Sequence, residues 1–456
     1  MMIDVLVAEI GSTTTVVNAF NVHSETRFIG QGIANTTIDL GDVNIGLNIA
    51  IADLKNKLNI SNLDYKESFA CSSAAGGLKM SVHGLIYDMT VKAAREAALG
   101  AGANIHLLTS GLLSGYDLNK IKELDLNIIM VAGGVNYGEN KTALENARKI
   151  ANLKLNIPVI YAGNIVNHDE VIAAFNEAKQ SDYLYITENV YPGIDELNVE
   201  PSRNIIQDIF EKHITEAPGM REVRKTISNN IIPTPAAVLQ AAKLIQSEIG
   251  DLVVIDVGGA TTDIHSVTYG SIEVSRILVS PEPFAKRTVE GDLGVYINKE
   301  NLLKLLNEEG IINSLGISDT DLEDIIKHYQ VIPNGLQVKL VEELTKVAIS
   351  TAITRHAGQY QSYYGASGKT TVAKGRDLTS IEYIIGTGGP ISRLDNGIEM
   401  INDALLELTD NILKPSKSVR VLIDHDYIMA TLGVLSMKYP KEALALLAKS
   451  LKVGVQ

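Results

Sequence analysis

Two stretches of this chain repeat one pattern about 250 residues apart, and no other feature limits the possible folds as strongly. The first is VLVAEIGSTTTVVNAF, residues 5–20; the second is LVVIDVGGATTDIHSV, residues 252–267. Glu9 aligns with Asp256, Gly11 with Gly258, Thr14 with Thr261 and Thr15 with Thr262. In each, a β-branched apolar run ends in an acidic residue, followed by glycine and small hydroxyl residues, then a second apolar run. That pattern reads as strand, tight turn, strand. RFIGQGIANTT extends the first copy as a third strand. In the second copy Tyr269-Gly270-Ser271 reads as a turn leading into a strand, IEVSRILVS. Two related β-meanders imply two related lobes, and a chain of 456 residues is long enough for both.

Helical periodicity lies between and after the repeats. Ala236–Ile249 puts Val238, Ala241, Ala242, Ile245 and Ile249 on one face, with Thr234 as N-cap, Pro235 in the first turn and Gly250 after the end. Further helices are expected over 85–98, 220–227, 300–307, 319–329, 340–356 and 429–447. The segment LNIIMVAGGVN, KTALENARKIANLKL, IPVIYAGN reads as β-α-β, compatible with a small parallel sheet. The division expected from the sequence is residues 1–104 for the N-terminal part of a first lobe, 105–230 for an inserted α/β unit, and 231–456 for a second lobe. The C-terminal helix is a candidate to return to the first lobe. Residues 361–374, rich in Gly, Ser, Thr and Lys, read as an exposed mobile loop.

A turn of glycine with serine or threonine aims several backbone N–H groups at one point, and such a nest binds phosphate oxygens. Ser12, Thr13, Thr14, Thr261 and Thr262 add hydroxyl donors. A carboxylate beside such a turn repels phosphate unless a cation intervenes. Glu9, Asp256 and Asp263 are therefore read as catalytic carboxylates that orient Mg²⁺ through water. A single turn of this kind is also what any glycine-containing hairpin looks like; two in register are more specific. A third glycine-rich turn, at Gly386, Thr387, Gly388 and Gly389 in EYIIGTGGPISRL, suits a base and ribose lying against bare backbone. Gly133-Gly134 forms a similar turn inside the inserted segment.

Taken in order, the three motifs resemble the actin-like ATPase superfamily of actin, hexokinase-type sugar kinases and heat-shock chaperones. The resemblance implies two ribonuclease-H-like lobes with ATP or ADP and Mg²⁺ in the cleft. It makes Gly11, Ser12, Thr13 and Thr14 one phosphate loop and Gly258, Gly259, Ala260 and Thr261 the other. Gly388 and Gly389 would then approach the adenosine. Glu9 stands where aspartate is usual and Ala260 where many relatives have glycine, both of which could slow hydrolysis. More of the chain is similar to one family within that group. VAEIGSTTTVVNAF, CSSAAGGLKM, NIPVIYAGN, KRTVEGDLG and DHDYIMATLGVLS resemble the glutamate-mutase accessory proteins (MutL or GlmL, unrelated to the mismatch-repair protein of the first name). This resemblance implies a slow, ATP-using chaperone or reactivating factor whose partner is a cobalamin-dependent mutase, of the glutamate mutase or aminomutase type. A small-molecule kinase of the sugar-kinase type and an actin-like filament protein are the alternatives on the same fold.

Composition narrows the field. A net charge of −14 argues against general affinity for nucleic acid or an anionic membrane. The single cysteine, Cys71, can form no disulfide, zinc cluster or iron–sulfur site within one chain, and is read as a small buried apolar side chain. No signal peptide and no membrane-length apolar run is read, so the expected location is the cytoplasm. DHDY, residues 424–427, carries metal-ligating residue types, but adjacent side chains need not converge. Lys286, Arg287, Glu290 and Asp292 could line the cleft or a partner surface, or form a solvated loop. Asp88 or Glu290 would be the base if the protein were a kinase.

Overall fold

The computed structural model describes residues 2–74, 78–214, 219–306, 311–312, 315–365 and 368–454. They form two compact units. One comprises residues 1–75, 217–279 and 287–456, the other residues 76–216 and 280–286.

The larger unit contains the duplication expected from the repeat. In its first sheet, strands Met2–Ile10, Thr14–Asn21 and Arg27–Asn35 form an antiparallel meander, and Asp64–Ser72 and Ile231–Pro233 add in parallel on the other side of the first strand. In its second, Leu252–Val257 pairs antiparallel with Thr262–Val267 and parallel with Tyr383–Thr387, which pairs parallel with Arg420–Ile423; Ala285–Glu290 lies outside Thr262–Val267. Numbered in chain order within each sheet, both run 3-2-1-4-5. This is the actin-like fold of two ribonuclease-H-like lobes. The first strands carry near-continuous apolar runs because both faces are covered: Val5, Val7 and Ile10, like Val253, Val254 and Ile255, are buried.

Helix Thr234–Ile249 packs on strands of both sheets. Pro233, not Thr234, holds its N-cap position, so Thr234 begins the helix one residue earlier than expected. The expected helix over 429–447 is two, Met429–Leu435 and Pro440–Ser450, because Pro440 has no N–H to continue the first and starts the second. Both C-terminal helices pack on helix Thr234–Ile249, and the first also on the first sheet. Gly433 permits that approach: a Cβ there would lie 1.8 Å from the Ala237 carbonyl oxygen. The strand expected at IEVSRILVS is instead a short helix, Ile272–Ser275, because Ser271 caps it through Val274 N; the third strand of that sheet comes later, at Ala285–Glu290. The described part of 361–374 is strand, not the expected loop. Gln359–Gly365 and Gly368–Lys374 pair as antiparallel strands, as the tyrosines and Thr370-Thr371-Val372 favour. Cys71 is buried in its strand, as expected, while Ala75–Gly77 of CSSAAGGLKM and Asn307 lie outside the described residues.

The smaller unit is a five-stranded parallel sheet of Lys79–Gly84, Asn104–Ser110, Ile128–Val131, Val159–Tyr161 and Leu184–Ile186, ordered 2-1-3-4-5. It starts ahead of residue 105 because Lys79–Gly84 is an interior strand of this sheet, paired on one side with Asn104–Ser110 and on the other with Ile128–Val131. It also takes in residues 280–286 from much later in the chain.

Candidate functional site: a phosphate-binding cleft

Both repeated turns are closed by the same bond. Gly11 N donates to Thr14 O at 2.9 Å, and Gly258 N donates to Thr261 O at 2.9 Å. The loops meet: a Cβ on Gly259 would come within 2.7 Å of Thr13 Oγ1. The second loop is held from behind. Val295 N donates to Gly258 O, Tyr296 N and Ile297 N to Gly259 O, and Asn298 Nδ2 to Ala260 O. Among the described residues, the N–H groups of Ser12, Thr13, Gly259 and Ala260 find no protein acceptor. Carbonyls engaged behind and free N–H groups in front are what an anion nest requires.

These loops line a cavity of about 520 Å³. Glu9, Gly11, Ser12, Thr13, Thr14, Asp256, Gly258, Gly259, Ala260, Thr261, Asp263 and Gly389 all reach it. Four further residues of the sequence motifs do not line it. Thr262 is buried and donates to Leu293 O. Gly386 gives space to Ile391, Ile401 and Ile423, and Thr387 donates to Asp424 Oδ2. Gly388, at φ +90°, lies against strand Leu252–Val257, where a Cβ would sit 2.2 Å from Val257 O. Gly389 has open space where a Cβ would be, so it is the bare backbone facing the cavity.

Sheet pairing places the carboxylates. Glu9 and Asp256 each stand one residue before the end of the first strand of their sheet, and Asp263 lies directly across the hairpin from Asp256. Burial, then Asp256 and Asp424, push Glu9 up to about 8, with the Arg393 guanidinium opposing. Burial, then Asp263 and Asp424, push Asp256 up to about 7, with Arg287 opposing. Glu9 Oε2 is buried without a hydrogen-bond partner. A cation would relieve all three conditions, so Glu9 and Asp256 fit a magnesium site. No three His, Cys, Asp or Glu side chains among the described residues converge to ligate an ion directly. Magnesium commonly keeps several waters, so contact through water is the arrangement these two residues suit. Asp263 is differently placed. Its Oδ1 receives Arg287 Nε at 2.7 Å and Nη2 at 2.6 Å, and its Oδ2 receives Thr261 Oγ1. It braces the second loop.

Several cavity residues carried no assignment in the sequence. Arg393 stands near the end of the EYIIGTGGPISRL motif, on the short helix Gly389–Arg393, with its guanidinium 5.0 Å from the Tyr427 ring. Val295, Tyr296, Tyr329, Val331, Ile332 and Pro333 give one part of the cavity an apolar wall, in which the rings of Tyr296 and Tyr329 stack at 6.0 Å. Nothing in their sequence context marks them, since they converge only through the fold. Asp424 of DHDY is a structural anchor: it accepts from Ile428 N, Met429 N, Thr387 Oγ1 and Ser450 Oγ. Of KRTVEGDLG, which begins within the strand Ala285–Glu290, Arg287 pairs with Asp263, while Glu290 and Asp292 pair with Arg355.

The chain matches the family model described as MutL protein over residues 5–451. It is 35% identical to the curated Protein MutL of Clostridium tetanomorphum over 459 residues, covering 98% of both chains. Among solved structures it is similar to a nucleotide-free acetone carboxylase, with a TM-score of 0.43 and 13% identity over 95% of this chain and 70% of that one. It is also similar to a nucleotide-free diol dehydratase-reactivating factor, with a TM-score of 0.33 and 11% identity over 98% of both chains. Scores this low carry no argument about activity. The match across almost the whole chain does establish kinship, and the chain belongs to the MutL family of glutamate-mutase accessory proteins.

Proposed function

We propose that this protein binds ATP and ADP with Mg²⁺ and acts in the cytoplasm as a slowly hydrolysing reactivating chaperone for a cobalamin-dependent mutase of the glutamate mutase or aminomutase type. The observation that carries the nucleotide part is the convergence on one cavity of two like turns with free N–H groups and two destabilised carboxylates. The N–H groups of Ser12, Thr13, Gly259 and Ala260 bind the phosphates. Glu9 and Asp256 hold the metal's waters, and the metal supplies the positive charge that offsets phosphate and carboxylates together. The apolar wall with Tyr296 and Tyr329 takes the base, and Gly389 lets the ribose approach the backbone. Asp263 and Arg287 fix the second loop. The partner assignment rests on family membership. An ATP-driven cycle needs the partner to prefer one nucleotide state over the other.

The test starts from purified mutase inactivated by turnover or by cyanocobalamin, to which this protein, ATP, Mg²⁺ and fresh adenosylcobalamin are added. Mutase activity should return only with ATP and should not return with Asp256→Asn. Recovery that is equal without ATP, or no recovery for any mutase of the host, would overturn the reading.

A further inference from the structure

All five strands of the smaller unit are parallel, so the loops that follow them emerge along one edge of the sheet. These are residues 85–91, 111–114, 132–140, 162–167 and 187–199. Each carries an exposed large apolar side chain: Ile86 and Tyr87, Leu112, Tyr137, Val166 and Ile194. Tyr137 and Ile194 are 80% and 76% exposed, far more than an incidental half-covered side chain. The connections at the opposite edge, residues 101–103, 124–127, 154–158 and 178–183, expose no large apolar side chain. Charge is as one-sided. The five carboxyl-edge loops hold Asp88, Glu139, Glu188, Asp195 and Glu196 and not one lysine or arginine. The opposite connections balance Asp125 and Asp182 against Lys154 and Lys179.

The edge is also rigid. Buried Asn146 accepts from Leu113 N and donates to Gly111 O. Buried Asn164 accepts from Tyr137 N and Val166 N. Buried Asn189 donates to Gly134 O and to Asn136 Oδ1, and Asn136 N donates to Pro192 O. Four of the five loops are thus tied down from beneath, while their apolar side chains stand in water. Such a preformed surface loses little freedom on binding. With strands about 4.8 Å apart, five strands span roughly 19 Å, the scale of a protein contact.

We propose that this edge is the docking surface for the partner protein, and that the partner presents an apolar patch flanked by lysine and arginine. The apolar side chains supply the contact, and the five carboxylates set the sign of the partner's rim. The identity of the partner rests on the function proposed above; the surface itself rests on this unit alone.

The probe is purified cobalamin-dependent glutamate mutase, titrated by calorimetry against the full chain and against Leu112→Ser/Tyr137→Ser/Ile194→Ser. Nucleotide affinity and Tm are measured in parallel. The triple variant should bind mutase at least tenfold more weakly with nucleotide affinity unchanged. Glu188→Lys/Glu196→Lys should weaken binding too and lower its salt dependence, and this variant keeps the test open if the triple one fails to fold. Unchanged mutase binding by both variants overturns the docking surface and leaves the proposed function standing. A wild-type chain that binds ATP but no mutase overturns the proposed function, and this partner with it. Wild-type dimers that the triple variant abolishes would make the occupant a second copy, which also overturns the proposal.

Discussion

Glu9 and Asp256 occupy equivalent places in two sheets, and the fold holds both as acids that keep their protons well above the usual carboxylate range. Between the unfolded values near 4 and the folded values of about 8 and about 7, the folded chain binds more protons than the unfolded one. Its stability therefore falls as pH rises through that window. Scanning calorimetry should show Tm declining from pH 5 to pH 8, less steeply in Glu9→Gln and less steeply again with Mg²⁺ and ADP. An equal decline in all three samples would remove the pair from a cation site. His265 acts in the opposite sense. It is buried, neither ring nitrogen has a hydrogen-bond partner, and burial pushes it down to about 3. The unfolded state takes up that proton first, so stability is lost as pH falls below about 6.5. His265→Leu should raise stability at pH 5 by roughly 2 kcal/mol relative to its effect at pH 8, measured by urea unfolding. At this scale the sequence showed Glu9 and Asp256 because a repeat aligns them. It did not show that Arg287 holds Asp263, a bond made across 24 residues of chain.

Adjacent glycines in the third motif make different structural demands. Gly388→Ala would drive a methyl group into Val257 O and strain a φ of +90°, so it should lower Tm sharply or prevent folding. Gly389→Val places its Cβ in open space at the cavity lining. It should leave Tm nearly unchanged and weaken ATP binding at least tenfold by calorimetry; unaltered affinity would take that turn out of the nucleotide site. Gly433→Ala tests helix packing. Its methyl group would collide with Ala237 O, and a loss of about 3 kcal/mol is expected from chemical denaturation. The repeated hairpins were legible because strand, turn and strand are local patterns. Ala285–Glu290 was not, since IEVSRILVS has as good a strand composition and only the Ser271 cap diverts it into a helix. Likewise, glycine and serine around residue 366 hid the tyrosine and threonine content of two strands that pair antiparallel.

For the molecule as a whole, a ligand that binds only the folded state stabilises it by mass action. Saturating Mg²⁺-ADP at a hundred times its dissociation constant should add about 2.7 kcal/mol, read as a rise in Tm that Asp256→Asn reduces. The duplication of lobes was visible at this scale, as was an insertion, but the start of the insertion was not. Lys79–Gly84 follows directly from the first lobe in sequence, and only its parallel partners assign it elsewhere. The inserted unit closes on residues 280–286. There Glu282 pairs with Lys92 at 2.6 Å and with Lys286 at 2.7 Å, and Ala285 O receives Arg203 Nη2 at 2.8 Å, all among side chains with little exposure. All five strands of the parallel sheet have been synthesised by residue 186, yet about a hundred further residues must follow before Lys92 and Arg203 can meet these partners. On the ribosome, the strands of this sheet are complete in sequence while the carboxylate that pairs with Lys92 is still to be translated.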